Sequence, residues 1–182
     1  MKRIYLLISV LVLAALACSF GGWQPSSQPS DEAESAPGPS GARPTLPVIE
    51  GGDCSAGGGP GVNLAKCDLT GRNYVGADFT GANLAQAMTS NTNFTEADFT
   101  NANLAGVFAS DTNFLDAIFV NADLTNADMR ASNMINADFT GAITIGVDFS
   151  GSNMTGAIIT DKQLDQAYSV KDAILPDGSI GK

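Results

Sequence analysis

The sequence predicts an all-β solenoid, and three observations support this prediction. A five-residue phrase (small, Asn or Asp, large apolar, polar, turn former) repeats twenty times without losing phase between Val62 and Asp161. Neither the helical period of about 3.6 residues nor the strand period of about 2 divides five, so the chain must turn a corner in each unit. Every fourth unit carries like residues, which predicts that twenty residues make one four-sided coil and that Val62 to Asp161 forms about five coils.

The predicted core is formed by the large apolar residue at the centre of each unit and by the small residue two places before it. A small side chain beside a large one allows the chain to close around a narrow interior at high packing density. The remaining three positions are polar and are expected to face water. Two columns of like residues define the core: Leu64, Leu84, Leu104 and Leu124, and Phe79, Phe99, Phe119 and Phe139.

The repeated phrase resembles that of the pentapeptide repeat family, as in Ala77-Asp78-Phe79-Thr80-Gly81 and Ala137-Asp138-Phe139-Thr140-Gly141. The resemblance covers residues 62–161. It implies a right-handed quadrilateral β-helix, which agrees with the column argument. It also implies one candidate activity, because some members of the family act as acidic mimics of DNA that occupy DNA gyrase in the cytoplasm.

A column of asparagines allows two interpretations. The column consists of Asn73, Asn93, Asn113, Asn133 and Asn153. A Thr or Ser directly precedes every member except Asn73. Stacked Asn amides can hydrogen-bond along the solenoid axis, which favours a structural ladder. The alternative is a polar strip that binds cell-wall glycan. A column of aspartates follows from the repeat itself and converges on no pocket, so no metal site is predicted.

The repeat is interrupted where the large apolar residue comes one position early, at Met88, Phe108 and Ile143. If the register holds, Met88 and Phe108 form an exposed apolar surface. If the chain slips by a bulge, they fill the core space left by Thr89 and Ala109. We favour the slip, because the apolar gain and loss coincide each time. Ile118 is expected to face outward, and the candidate contact surface is Met88, Phe108 and Ile118.

The N-terminus has the features of an export signal. Residues 1–17 begin with Lys2 and Arg3 and continue as a short apolar run, which is typical of a signal peptide and too short for a spanning helix. The ending Ala15-Leu16-Ala17-Cys18 resembles a bacterial lipobox, which implies cleavage before Cys18 and attachment of lipid to it. Leu16 lies one place closer to Cys18 than is usual in lipoboxes. Ordinary secretion is the alternative.

Residues 18–60 are rich in Ser, Pro, Gly and Glu, and are expected to form a disordered linker. If Cys18 carries lipid, Cys54 and Cys67 remain as an even pair in an oxidising compartment, which predicts a disulfide. The solenoid is assigned to residues 61–161. The disulfide would hold the Gly-rich segment that precedes it, the lead-in, over the open end of the solenoid. A free, buried Cys67 is the alternative.

Residues 162–182 are predicted to close the other end. Thr160-Asp161-Lys162-Gln163 has the pattern of a capping box, with Thr160 as the N-cap and Gln163 at N3. The pattern predicts a helix over about 161–170 that packs Leu164, Ala167 and Tyr168 on the last coil. Ile174 and Leu175 are then expected to pack before a Pro-Asp-Gly turn.

Composition excludes several classes of function. The formal net charge is −10 and there is no basic stripe, so nucleic acid is not expected as a partner. The chain contains no His and no phosphate-binding loop, and its hydroxyl residues show no nucleophile–base pattern, so neither enzymatic activity nor a cofactor is predicted.

The sequence therefore predicts a non-enzymatic, extracytoplasmic lipoprotein that serves as a structural or protein-interaction module at the bacterial cell envelope. Its expected partners are the membrane, through lipid on Cys18, and an unidentified envelope protein. The first alternative is an acidic DNA mimic that binds a DNA-handling enzyme such as gyrase, which requires a cytoplasmic location. The second is glycan binding along the Asn and Thr face.

Overall fold

A computed structural model of the protein describes residues 51–182. The predicted signal peptide, the lipidation site at Cys18 and most of the predicted linker lie outside the described residues. No helix among residues 51–182 has the length and apolar character needed to cross a membrane.

Backbone pairing follows a twenty-residue spacing. Each outward Asn or Asp position forms a parallel β-bridge with the residue twenty places later, beginning with Asn63 and Asn83 and continuing to Asp138 and Ile158. The Leu64 amide donates to the Asn83 carbonyl at 2.7 Å, and the Asn83 amide donates to the Val62 carbonyl at 2.8 Å. The bridges are isolated because the chain turns at every fifth residue, which leaves no longer strand between residues 51 and 182.

The corners are made by residues with positive φ. From Gly61 to Gly156, every fifth residue lies in the left-handed region, with φ between 54° and 73°. Each left-handed residue is the third of a four-residue turn, as when the Cys67 amide donates to the Leu64 carbonyl at 3.1 Å. Gly, Asn and Asp adopt this conformation most readily, which explains the turn former in the phrase. Four corners use other residues: Lys66, Gln86, Glu96 and Ala131.

The core consists of stacked side chains. The predicted Leu and Phe columns are fully buried. Phe79, Phe99, Phe119 and Phe139 stack with ring centroids 5.1, 5.2 and 5.0 Å apart. A second stack, formed by Tyr74, Phe94 and Phe114, meets the first one edge to face. Such offset and edge-on contacts are the favourable arrangements of aromatic rings.

The predicted slip of the chain at Met88, Phe108 and Ile143 is wrong. Their side chains are 44%, 52% and 44% exposed, whereas Thr89 and Ala109 are buried in the core positions. The parallel bridge between Met88 and Phe108 is intact, and the Thr89 hydroxyl donates to the Phe108 carbonyl at 3.2 Å. A slip by one residue would break such bridges and displace the left-handed corners. The backbone register therefore prevails over side-chain hydrophobicity.

The lead-in packs on the first coil. The predicted C-terminal boundary of the disordered linker, residue 60, is therefore also wrong. The amides of Gly52 and Asp53 donate to the carbonyls of Ala65 and Asn63 at 2.8 and 3.0 Å. A disulfide joins Cys54 to the buried Cys67. Ordered structure thus begins before residue 61, because backbone bonds and a covalent bond fix a segment that composition alone predicts to be disordered.

Gly58 lies against the end of the core. A Cβ at Gly58 would lie 3.1 Å from the Ala77 Cβ and 3.0 Å from the Phe79 ring. The glycine-rich lead-in therefore allows close approach of the backbone to the core at this position.

One helix follows the repeats, α1 (Asp161–Asp165). Its capping box is present: the Gln163 amide donates to the Thr160 hydroxyl at 3.3 Å, and the Thr160 amide donates to Gln163 Oε1 at 2.9 Å. The helix is shorter than the predicted 161–170. The predicted packing of Tyr168 is wrong, because its side chain is 78% exposed.

The chain after α1 returns to the bridge pattern, which explains the short helix. Ser169 bridges to Asp148 and Ile174 bridges to Asn153, now with a spacing of twenty-one residues. The tail then turns at Asp177-Gly178 and pairs antiparallel, with Ile174 opposite Ile180. This pairing occupies part of the backbone edge that the repeats leave at this end.

Candidate interaction surfaces

The outward Asn and Asp residues of the repeat have a structural role. The Thr80 amide donates to Asp78 Oδ1 at 2.9 Å, and the Ala85 amide donates to Asn83 Oδ1 at 3.1 Å. The same bond to the amide two residues ahead recurs along the solenoid and forms an Asx turn. Sequence reasoning attributed the Asp column to the repeat without identifying this cause, although the Asx preference of Asn and Asp could have indicated it.

The Asn column is a ladder in its central part. Asn133 Nδ2 donates to Asn113 Oδ1 at 3.0 Å, and Asn113 Nδ2 donates to Asn93 Oδ1 at 3.3 Å. Within residues 51–182, neither Asn73 nor Asn153 adds a side-chain bond to this column. The central amides are therefore engaged within the protein.

The hydroxyl residues that precede these asparagines point inward. The hydroxyls of Thr92, Thr112 and Ser132 donate to carbonyls of the preceding coil at 2.8, 2.7 and 2.6 Å. Ser152 is equally buried, and its hydroxyl has no hydrogen-bond partner among residues 51–182. These buried groups are not available to a sugar, which weakens the glycan hypothesis.

Met88 and Phe108 form one exposed surface, which we call the Met–Phe pair. They bridge each other in a column that continues to Asp128 and Asp148. Arg130 donates to both oxygens of Asp128, at 2.8 and 2.7 Å, and its Nε lies 3.9 Å from Asp148 Oδ2. The charges on this side of the Met–Phe pair are therefore partly compensated.

Ile118 lies on a different face. It is 38% exposed and bridges Asp98 on one side and Asp138 on the other. The predicted contact residues thus do not form a single surface. Half-buried Leu115 and Ile135 lie in the neighbouring column, where the Asp116 amide donates to the Ile135 carbonyl at 2.9 Å. Sequence reasoning missed both residues because it assigned their position in the repeat to polar residues.

Hydrogen bonds hold several surface carboxylates in the ionised form. The Thr80 side chain and amide lower the pKa of Asp78, and Thr70 lowers the pKa of Asp68 in the same way. The Arg130 side chain is the main cause of the lowered pKa of Asp128. No group of His, Cys, Asp or Glu in the described part of the chain has the arrangement of a metal site. The surface thus offers carboxylates and apolar side chains for contact.

Comparisons with known proteins identify the repeat. The family model for pentapeptide repeats matches eight copies, over residues 63–101, 92–130 and 132–167, which together span more than half of the chain. None of the curated proteins matches the chain.

Several solved structures are similar to this chain. A pentapeptide repeat protein from the Arabidopsis thaliana thylakoid lumen is 29% identical, with a TM-score of 0.37, covering 59% of this chain and 79% of its own. HetL from Nostoc sp. strain PCC 7120 is 24% identical, with a TM-score of 0.29 and coverage of 66% of each chain. QnrB1, a plasmid-mediated fluoroquinolone resistance protein, is 17% identical, with a TM-score of 0.35, covering 53% of this chain and 62% of its own.

The extent of the family match, together with the five-residue phrase and the twenty-residue bridge spacing, shows that this chain belongs to the pentapeptide repeat family.

Proposed function

We propose that this protein is a lipid-anchored, extracytoplasmic interaction module of the bacterial cell envelope without enzymatic activity. Residues 1–17 direct export, lipid on Cys18 anchors the chain, and the following linker holds a right-handed quadrilateral β-helix of five coils away from the membrane. Helix α1 and the tail cap its C-terminal end. The observation that carries this proposal is the bond between Cys54 and Cys67, because disulfides persist in oxidising compartments.

The interaction role rests on the surface of the solenoid. Apolar side chains are exposed on more than one face, at the Met–Phe pair and at Ile118. Contiguous exposed apolar residues with polar surroundings mark sites of protein contact.

Anchoring is tested by expressing the full chain in a bacterium beside the Cys18→Ala variant. We expect the parent chain to carry labelled fatty acid and to enter the detergent phase of a membrane extract, and the variant to lack the label. Unlabelled parent chain in the cytoplasmic fraction would contradict the proposal.

The second candidate is the acidic DNA mimic. Its support is the charge distribution, because no Lys or Arg occurs between Arg72 and Arg130 while Asp and Glu recur throughout. A supercoiling assay with the purified full chain carrying Cys18→Ala tests it. Inhibition of gyrase at micromolar concentration would favour this candidate, and unchanged supercoiling would reject it.

A further inference from the structure

A short apolar strip lies at one corner of the central coils. It consists of Leu115, Ile118 and Ile135, and we call it the corner strip. Leu115 and Ile118 are separated by one corner, and the Asp116 amide between them donates to the Ile135 carbonyl at 2.9 Å. Ile118 is 38% exposed, and the other two residues are half-buried. The three side chains are therefore at least partly accessible to a partner at this corner.

Carboxylates surround the corner strip. Asp98 and Asp138 bridge Ile118 from either side, and the Glu96 amide donates to the Leu115 carbonyl at 2.8 Å, which places that acid in the adjacent coil. Asp116 lies at the corner itself, where Asn136 Nδ2 donates to its Oδ1 at 3.0 Å. Three of these carboxylates, Glu96, Asp98 and Asp116, lie between Arg72 and Arg130, and Asp138 follows Arg130 in the sequence. None of the four forms an ion pair with a described residue.

This arrangement differs from that of the Met–Phe pair. There, Arg130 compensates Asp128 and reaches toward Asp148. At the corner strip, neither ion pair of the described residues involves Asp98, Glu96, Asp116 or Asp138, and residues 73–129 contain no Lys or Arg. An interface of this kind has an apolar centre and a rim of one sign of charge.

We propose that the corner strip binds a cationic amphipathic segment of a partner protein. An apolar side chain of that segment rests on Ile118, and Lys or Arg residues on either side of it meet Asp98, Asp138, Glu96 and Asp116. Charge complementarity favours this partner, because the acidic rim attracts Lys and Arg. The apolar centre favours an apolar side chain, which phosphate and sugar ligands lack. This inference rests on the proposed interaction role and specifies the partner for it.

Other occupants fit less well. A second copy of the chain would place the same acidic rim opposite itself, and like charges across an interface are unfavourable. An anionic lipid surface is repelled for the same reason. A basic segment without apolar residues would leave Leu115, Ile118 and Ile135 in contact with water.

Three synthetic twelve-residue peptides test the proposal against the full chain carrying Cys18→Ala. The first alternates Lys and Leu, the second alternates Lys and Ser, and the third alternates Glu and Leu. We expect the Lys–Leu peptide to bind most tightly by fluorescence anisotropy, to weaken as NaCl is raised from 50 to 500 mM, and to shift the amide resonances of Leu115, Ile118 and Ile135. The Lys–Ser peptide should bind less tightly, and the Glu–Leu peptide should not bind.

Matched variants separate specific binding from general attraction to an acidic protein. Ile118→Asn should weaken Lys–Leu peptide binding about tenfold, as loss of a central contact does. Phe108→Asn removes an equally outward apolar residue from another face and should leave the affinity within about twofold, because peripheral or remote positions contribute little. Asn already occupies the same place in the repeat at Asn93 and Asn103, so both variants should fold, which circular dichroism and thermal melts can verify.

The proposal is overturned if Ile118→Asn binds the Lys–Leu peptide as the parent does, if both variants weaken it equally, or if the Lys–Ser peptide binds as tightly as the Lys–Leu peptide. Membrane partition of the full chain carrying Ile118→Asn is measured in parallel. Unchanged partition together with failed peptide binding rejects the corner strip and leaves the proposed anchoring and envelope location standing.

Discussion

At the scale of the residue, the left-handed corner places the strictest demand on the sequence. Gly, Asn or Asp fills most corners, but Ala131 adopts φ of 54° without a side chain that can stabilise it. The left-handed conformation costs about 1–2 kcal/mol for such a residue. The Ala131 amide still donates to the Ser150 carbonyl at 2.9 Å, so the neighbouring coil holds the corner in place.

Replacing Ala131 with Gly should raise the free energy of unfolding by about 0.5–1 kcal/mol, because relief of the left-handed strain exceeds the added entropy of the unfolded chain. Urea unfolding measures this change. Ala105→Gly is the matched control, since Ala105 lies outside the left-handed positions, and it should lower stability. A loss of stability in Ala131→Gly would contradict the account of the corners.

Inward and outward positions can be separated at adjacent residues. Phe119 is fully buried between two stacked rings, whereas Ile118 faces water. Phe119→Asp should abolish folding of the central coils, because a buried, unpaired carboxylate costs several kcal/mol and the stack is lost. Ile118→Asp should melt close to the parent, since Asp fills the equivalent place at Asp98 and Asp138. Similar melts for both variants would be incompatible with the inward assignment.

Most of these residue assignments could be predicted from the sequence, because the phrase fixes which side chains point inward. The exceptions include Met88, Phe108 and Ile143, where hydrophobicity and register conflict. Hydrophobicity suggested that these residues enter the core, but each is held outward by a bridge and by the corners on either side. These bridges join residues twenty positions apart. The residues next to Met88 and Phe108 in the sequence therefore could not show that the bridges hold both side chains outward.

At the scale of the element, α1 depends on one buried polar residue. Gln163 Nε2 donates to the carbonyls of Phe139 and Ala142 at 2.7 and 3.0 Å, while its Oε1 accepts from the Thr160 amide. The Thr144 hydroxyl donates to the Gln163 carbonyl at 2.7 Å. Gln163 therefore satisfies backbone groups at the end of the repeats as well as capping the helix. The capping box was readable from the sequence, but the contact with Phe139 and Ala142 was not, because it requires the fold.

Gln163→Ala should lower the free energy of unfolding by about 2–4 kcal/mol, because it leaves buried acceptors without partners and removes the reciprocal cap. Gln166→Ala is the control, since Gln166 is exposed and contributes its backbone carbonyl to Gly146. Equal stability of the two variants in urea unfolding would show that Gln163 does not hold this end.

The disulfide is the corresponding restraint at the other end. Cys54 and Cys67 are separated by 13 positions, and a bond closing a loop of this size contributes about 3 kcal/mol. The double variant Cys54→Ala, Cys67→Ala should therefore unfold at a lower urea concentration than the parent, and thiol counting on the unfolded, unreduced parent should find neither cysteine free. Two reactive thiols in that assay would refute the bond.

At the scale of the whole molecule, the account rests on the vertical stacking of like residues. The sequence columns predicted this stacking, and the bridges from Asn63–Asn83 to Asp138–Ile158 keep the same spacing. The change to twenty-one residues after α1 could not be predicted, because the helix inserts one residue between two bridged segments. The grouping of Leu115 with Ile118 also required the fold, since a corner separates them along the chain.

The most direct test of the stacking is the distance between the side chains of Leu84 and Leu104. Methyl-labelled protein should give strong nuclear Overhauser effects between Leu84 and Leu104 and between Leu104 and Leu124, because all three are buried in one column. Absence of these effects, or effects that instead link Leu84 to residues fifteen or twenty-five places away, would contradict the twenty-residue coil.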